Sequence, residues 1–123
     1  MSSAPKTILI VEDDLDIVLV LTLMFEDEGY RVVTADNCDA LELSQESELP
    51  QAILLDMLLP AGDGREIARQ LKCQPATQHI PIVMISAYPH AEEEARAAGA
   101  DDFLAKPFEF ETLLAKVASY LTA

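Results

Sequence analysis

The 123-residue sequence predicts a doubly wound α/β domain, (βα)5 in plan, and three features of the chain predict it. Five short runs rich in β-branched residues alternate with five longer segments of helix-forming residues. The runs are apolar along their length, as in parallel sheets covered on both faces. Pro50, Pro60, Pro81 and Pro107 stand at the joints between elements, and Gly29 and Gly99 stand where helices stop.

Taken in order, Thr7 to Val11 is the first strand and Leu15 to Glu28 the first helix, closed by Gly29. In that helix Ile17, Leu21, Met24 and Phe25 form a core stripe, while Val18, Leu19 and Leu23 leave other faces apolar. Arg31 to Ala35 is the second strand and Asp39 to Glu48 the second helix. Ala52 to Leu55 and Gly64 to Lys72 form the third pair, Ile82 to Ile85 and Ala91 to Ala98 the fourth, and Phe103 to Ala105 and Glu109 to Leu121 the fifth. Such a series closes into a parallel sheet through right-handed crossovers. No internal repeat, low-complexity tract or Gly/Ser linker interrupts it, so residues 1–123 are expected to form one domain.

Composition narrows the function classes. The 22 acidic against 8 basic residues leave a formal charge of −14, a field that repels nucleic acid and anionic lipid and attracts cations. No direct nucleic-acid partner and no membrane partner are expected. The longest apolar stretch, Ile17 to Phe25, is too short to span a bilayer and contains Thr22. The N-terminus lacks the basic and apolar regions of a signal peptide, and Cys38 and Cys73 have neither zinc-site spacing nor a disulfide framework. A reduced, cytoplasmic setting is expected.

In open α/β sheets, ligands bind beyond the carboxyl ends of the strands. Here the first strand runs into Glu12, Asp13 and Asp14, the third into Asp56, the fourth into Ser86 and the fifth into Lys106. If the first and third strands are neighbours, Glu12, Asp13 and Asp56 converge, and carboxylates that close repel unless a cation intervenes. An all-oxygen ligand set without His or Cys suits Mg2+. An Asp carboxylate also accepts phosphoryl groups, where catalysis is positioning plus charge neutralisation by metal, lysine and hydroxyl donors. Asp56, Lys106 and Ser86 have the chemistry for those roles.

The segments Ile-Leu-Ile-Val-Glu-Asp-Asp (8 to 14), Leu-Leu-Asp-Met-Leu-Leu-Pro (54 to 60), Ile-Ser-Ala (85 to 87) and Lys-Pro-Phe (106 to 108) resemble, in order and spacing, the motifs of response-regulator receiver domains. Gly64, Ile-Pro-Ile (80 to 82) and Ala-Gly-Ala-Asp-Asp-Phe (98 to 103) extend the resemblance over essentially the whole chain. It implies a flavodoxin-like sheet in the order 2-1-3-4-5, with Asp56 as phosphoacceptor. It further implies that Glu12, Asp13, Asp56 and the Leu58 backbone carbonyl hold Mg2+, that Lys106 pairs with Asp56 or its phosphate, that the Lys106–Pro107 bond is cis, and that Ser86 and Phe103 are the switch residues. Two positions depart from the family's habit: Ser86 where Thr is commoner, and Phe103 where many members carry Tyr. Only 12 residues separate Ser86 from Gly99, so a trimmed fourth helix is expected.

Other acids read as ordinary structure. Asp14, Asp16 and Asp63 are expected to be helix caps or loop acids, Glu92 to Glu94 the solvated start of a helix, and His79 and His90 surface residues. Arg65, Arg69 and Lys72 gather on one helix as ordinary surface. A flavin-binding protein would want a Ser/Thr/Gly-rich loop after the first strand, where Glu12-Asp13-Asp14 would repel phosphate. An aspartyl-phosphate phosphatase would want an acid two positions after its nucleophile, and that position is Leu58. A metal-dependent nuclease would not carry a charge of −14 without a basic surface.

The function expected is therefore that of a phosphorelay receiver, a switch and not a turnover enzyme, with at most slow self-dephosphorylation. Its partners would be a histidine kinase or histidine phosphotransfer protein and a downstream protein, with a homodimer as one form of output and the first helix as a docking surface. The chain would be either free-standing or a piece of a longer regulator.

Overall fold

A computed structural model of the chain describes residues 5–39, 42–43, 45–46, 48–59 and 62–121. Strands β1 (Thr7–Val11), β2 (Arg31–Ala35), β3 (Ala52–Asp56), β6 (Ile82–Ser86) and β7 (Asp102–Ala105) form one parallel sheet in the order β2-β1-β3-β6-β7. A two-residue antiparallel ladder, β4 (Leu58–Leu59) against β5 (Gly62–Asp63), lies outside that sheet. The expected order 2-1-3-4-5 counted five strands; this ladder, too short to show any periodicity in sequence, adds two to the numbering.

Alternation along the strands explains why the sheet needs cover on both sides. Leu9, Val11, Ile53, Leu55, Ile82 and Met84 face one core with α2 (Gly64–Cys73) and α3 (Ala91–Ala97), through Ile67, Ala68, Leu71, Ala91 and Ala95. Ile8, Ile10, Ala52, Leu54, Val83 and Ile85 face the other, where α1 (Leu15–Asp27) and α4 (Phe110–Leu121) bring Leu21, Phe25, Leu113, Val117 and Leu121. Each large side chain so buried contributes roughly 1.5–3 kcal/mol, which makes these two layers the main source of stability.

Four helices are described, where five were expected. The second expected helix includes residues 40, 41, 44 and 47, which lie outside the described residues; of the rest, Glu42 and Leu43 have helical backbone and the Asp39 carboxylate accepts from the Glu42 N–H at 3.2 Å. Local chemistry sets the other ends. Asp14 caps α1, accepting from the N–H groups of Asp16 and Ile17, and Asp63 caps α2, accepting from Arg65 N–H. Gly29 (φ 93°) and Gly99 (φ 106°) supply the left-handed residues that end α1 and α3.

Two expectations need correcting. The edge strand β2 is not buried on both faces: Arg31, Val33 and Thr34 are exposed and Val32 and Ala35 only half-buried. In α1 only Leu21 and Phe25 are fully buried; Ile17 and Met24 are half-buried, and Leu15, Leu19 and Leu23 are well exposed. No helix among the described residues is long and apolar enough to cross a membrane.

Candidate functional site

Parallel registers align the carboxyl ends of the strands, and the polar residues that interrupt them meet at one edge. Val11 pairs with Leu55, Asp56 with Ile85 and Ser86 with Ala105, so Glu12, Asp56, Ser86 and Lys106 end neighbouring strands. One further backbone bond fixes each strand just past its end: Glu12 N–H to Ala35 carbonyl (3.1 Å), Met57 N–H to Ile85 carbonyl (2.9 Å), and Lys106 N–H to Ser86 carbonyl (2.8 Å). The Lys106–Pro107 peptide is cis.

Glu12, Asp13 and Asp56 each offer a carboxylate oxygen, and the three lie within 4.8 Å of one another. Glu12 and Asp56 are buried, with 6% and 7% of their surface exposed, whereas Asp13 is open to solvent. Lys106 Nζ donates to Glu12 Oε1 at 2.8 Å and to Asp56 Oδ2 at 3.4 Å. Burial, and then the neighbouring Asp56, push the Glu12 carboxyl up to about 7, against the pull of Lys106. Burial alone would lower the Lys106 ammonium, but its bond to Glu12 and the charge of Asp56 outweigh that and hold it above its ordinary value. Glu12 Oε2 is buried without a hydrogen-bond partner. A buried oxygen left unpaired beside two further carboxylates fits a cation, and hard oxygen donors suit Mg2+.

Asp56, Leu58, Ser86 and Lys106 line a cleft of about 300 Å3 together with Ala87, Tyr88 and Pro89. The Leu58 N–H donates to Asp56 Oδ1 at 3.3 Å, which fixes the carboxylate's rotation. Ser86 Oγ accepts from Tyr88 N–H at 3.0 Å and keeps its own proton free for an acceptor in the cleft. Phe103, opposite Met84 in the ladder, is half-buried and packs against the α2/α3 core. Gly64 closes the far side: its N–H donates to Met57 carbonyl at 2.7 Å, and a Cβ there would overlap the Asp56 carbonyl oxygen and lie 2.9 Å from Met57 Cα.

The structure thus brings together Glu12, Asp13, Asp56, Ser86 and Lys106, with Leu58 on the rim. Sequence reasoning missed Tyr88, whose half-exposed ring lines the cleft; its one visible sign was its place directly after Ser86-Ala87. It also took Arg65 and Lys72 for ordinary surface. Lys72 Nζ in fact donates to Gln78 and Ile80 carbonyls and to Asp101, whose carboxylate in turn accepts from Ile82 N–H, so the lysine staples α2 to two loops. Cys38 and Cys73 are free, and burial, with Asp39 and Glu42 nearby, pushes the Cys38 thiol up to about 11, away from nucleophilic use.

Known proteins share this fold. The receiver solved from a sensor histidine kinase of Pseudomonas aeruginosa, with a magnesium ion coordinated in its active-site cleft, is 30% identical; it matches at a TM-score of 0.82, covering 98% of this chain and 100% of that one. The chemotaxis protein CheY4 of Vibrio cholerae is also 30% identical, with a TM-score of 0.81 over 95% of this chain and 99% of its own. Among curated sequences, the phosphate regulon transcriptional regulatory protein PhoB of Rhizobium meliloti is 37% identical over 119 residues, 95% of this chain and 52% of the relative. The chain spans about half the length of the PhoB relatives it matches. The family model for the response regulator receiver domain matches residues 8–118. The chain therefore belongs to the response regulator receiver domain family.

Proposed function

We propose that residues 1–123 act as the receiver of a two-component phosphorelay, in which Asp56 takes a phosphoryl group from a phosphohistidine and the change in shape is read by a partner. Receiver domains are phosphoacceptor switches that take their phosphate from histidine kinases. The observation that carries the reading for this chain is the convergence of Glu12, Asp13 and Asp56, with Lys106 bonded to Glu12 and Asp56, beside a cleft that Asp56, Lys106 and Ser86 line together.

In the transfer, an Asp56 oxygen forms a bond to phosphorus as the donor's N–P bond breaks, and the imidazole leaves with that electron pair. Glu12, Asp13, Asp56 and the Leu58 carbonyl would hold Mg2+, which when bound neutralises charge on the phosphoryl oxygens. Lys106 supplies a second positive charge, and Ser86 a hydroxyl donor. Ser86 and Phe103 then shift together, biasing a two-state surface; a phenyl ring does this by packing, without a hydroxyl to anchor it.

The protein would work in the cytoplasm as a switch with at most slow self-dephosphorylation. Its charge of −14 argues for output by protein contact, a second copy included, and against direct nucleic-acid contact by this domain. The exposed Leu15, Leu19 and Leu23, spaced by four on α1, are the docking face for the histidine-bearing donor. Borohydride reduction of the phosphorylated protein followed by peptide mapping tests the acceptor: homoserine at position 56 supports the reading, and homoserine at another acid overturns it.

A further inference from the structure

Two chain segments leave the cleft on its outer side, one after Asp56 and one after Ser86, and a single arginine spans them. Arg65, in the first turn of α2, is held by Asp63 through Nε (3.0 Å to Oδ1) and Nη2 (2.6 Å to Oδ2). Its remaining arm, Nη1, reaches Glu94 Oε2 on α3 at 2.7 Å. The Asp63 end is tied to the acceptor strand by the Gly64 N–H to Met57 carbonyl bond. The Glu94 end belongs to the helix that follows Tyr88 and Pro89.

That helix is otherwise lightly held. It is seven residues long and buries only alanines, Ala91 and Ala95, each bringing one methyl group to the core. It starts on His90, a non-glycine residue in the left-handed region (φ 61°), and no side chain caps it. Its first turn holds Glu92, Glu93 and Glu94 side by side. At its far end Arg96 bonds Glu92 within the helix and reaches Asp101 carbonyl and Asp102 on the strand that follows. Beside the packing of Ala91 and Ala95 against α2, the Arg65–Glu94 pair is thus a charged tie between α3 and the acceptor side of the cleft.

We propose that Arg65 is a brace that holds α3 against the start of α2, and that its ion pair with Glu94 sets how readily the Ser86–His90 segment moves when the cleft is filled. The regulatory half of this inference rests on the reading of Asp56 as the acceptor; the brace itself does not. An ion pair also makes the hold dependent on salt, since both partners face solvent in part.

Hydrogen–deuterium exchange on the full chain, at low and high salt, tests it with Glu94→Gln beside Glu93→Gln as a control on the same turn. Glu94→Gln is expected to speed exchange of the α3 amides roughly two- to fivefold, the range an exposed pair can supply, and to remove the salt dependence that wild type shows there. Exchange in α1 and α4 stays unchanged, and Glu93→Gln behaves as wild type. The same result in an Asp56→Asn background separates the brace from the acceptor. If Glu94→Gln matches Glu93→Gln, or if its effect spreads evenly over α1 and α4, the brace is wrong. Initial rates of phosphorylation by acetyl phosphate then test the regulatory half: Glu94→Gln should change the rate in wild type's low-salt buffer and converge on it at high salt, and equal rates in both overturn that half.

Discussion

Lys106 Nζ lies closer to Glu12 Oε1, at 2.8 Å, than to Asp56 Oδ2, at 3.4 Å. The lysine therefore shares one oxygen of Glu12 and leaves the other, Oε2, buried and unpaired. On the proposed reading Mg2+ and Lys106 would compete for Glu12 while cooperating on a phosphoryl group, and this opposition gives the first prediction. Lys106→Met should slow phosphorylation by acetyl phosphate roughly 100-fold, the loss typical of one charge-stabilising donor, without weakening Mg2+ binding. Initial rates by mass spectrometry and a calorimetric Mg2+ titration check the two halves; unchanged rates with lost Mg2+ binding would contradict it.

The raised Glu12 carboxyl sets a pH dependence whose sign is fixed. Its value rises from 4.5 to about 7 on folding, so its contribution to the stability of the metal-free protein is present below about 4.5 and is lost as pH rises through about 7. A cation bound to ionised Glu12 reverses that loss. The rise in Tm produced by Mg2+ should therefore be larger at pH 8 than at pH 6, as measured by thermal denaturation at fixed Mg2+. An equal rise at both would show that Glu12 does not titrate with the metal.

Gly64 is required by space, not by backbone conformation. A methyl group there would overlap the Asp56 carbonyl oxygen and crowd Met57 Cα, whereas at Gly62 nothing lies within 4 Å of the corresponding position. Gly64→Ala should destabilise by about 1–3 kcal/mol, the usual cost of overpacking. Gly62→Ala should stay within about 0.5 kcal/mol of wild type. Urea midpoints compare the two, and equal midpoints would refute the close approach.

Leu15, Leu19 and Leu23 on α1 face solvent, so their loss should leave the fold alone. Leu19→Glu is expected to shift stability by less than about 0.5 kcal/mol, to leave phosphorylation by acetyl phosphate unchanged, and to slow transfer from a phosphorylated histidine donor. A variant that takes phosphate from both donors at wild-type rates would remove α1 from the docking face.

Most of the candidate site was legible because strand ends are the one place where a single sequence announces its neighbours: an apolar run that stops at an acid, a hydroxyl or a lysine gives both position and chemistry. Glu12, Asp56, Ser86 and Lys106 were found this way, and the parallel registers explain why they meet. What stayed hidden depends on distance in the chain. The Arg65–Glu94 pair joins residues on different helices, Lys72 reaches Asp101 across a loop, and no local pattern announces either. The α1 stripe was over-read at Ile17 and Met24, since periodicity marks a face but not how much of its width the sheet covers. The β4/β5 ladder is shorter than any period that could reveal it.

Intact mass after incubation with acetyl phosphate, with and without Mg2+, on wild type and Asp56→Asn, tests the phosphoacceptor reading most directly. A single phosphoryl gain that needs Mg2+ and disappears in Asp56→Asn is the expected result. A gain that persists in Asp56→Asn, or no gain from either acetyl phosphate or a phosphohistidine donor while Mg2+ is bound, would contradict it.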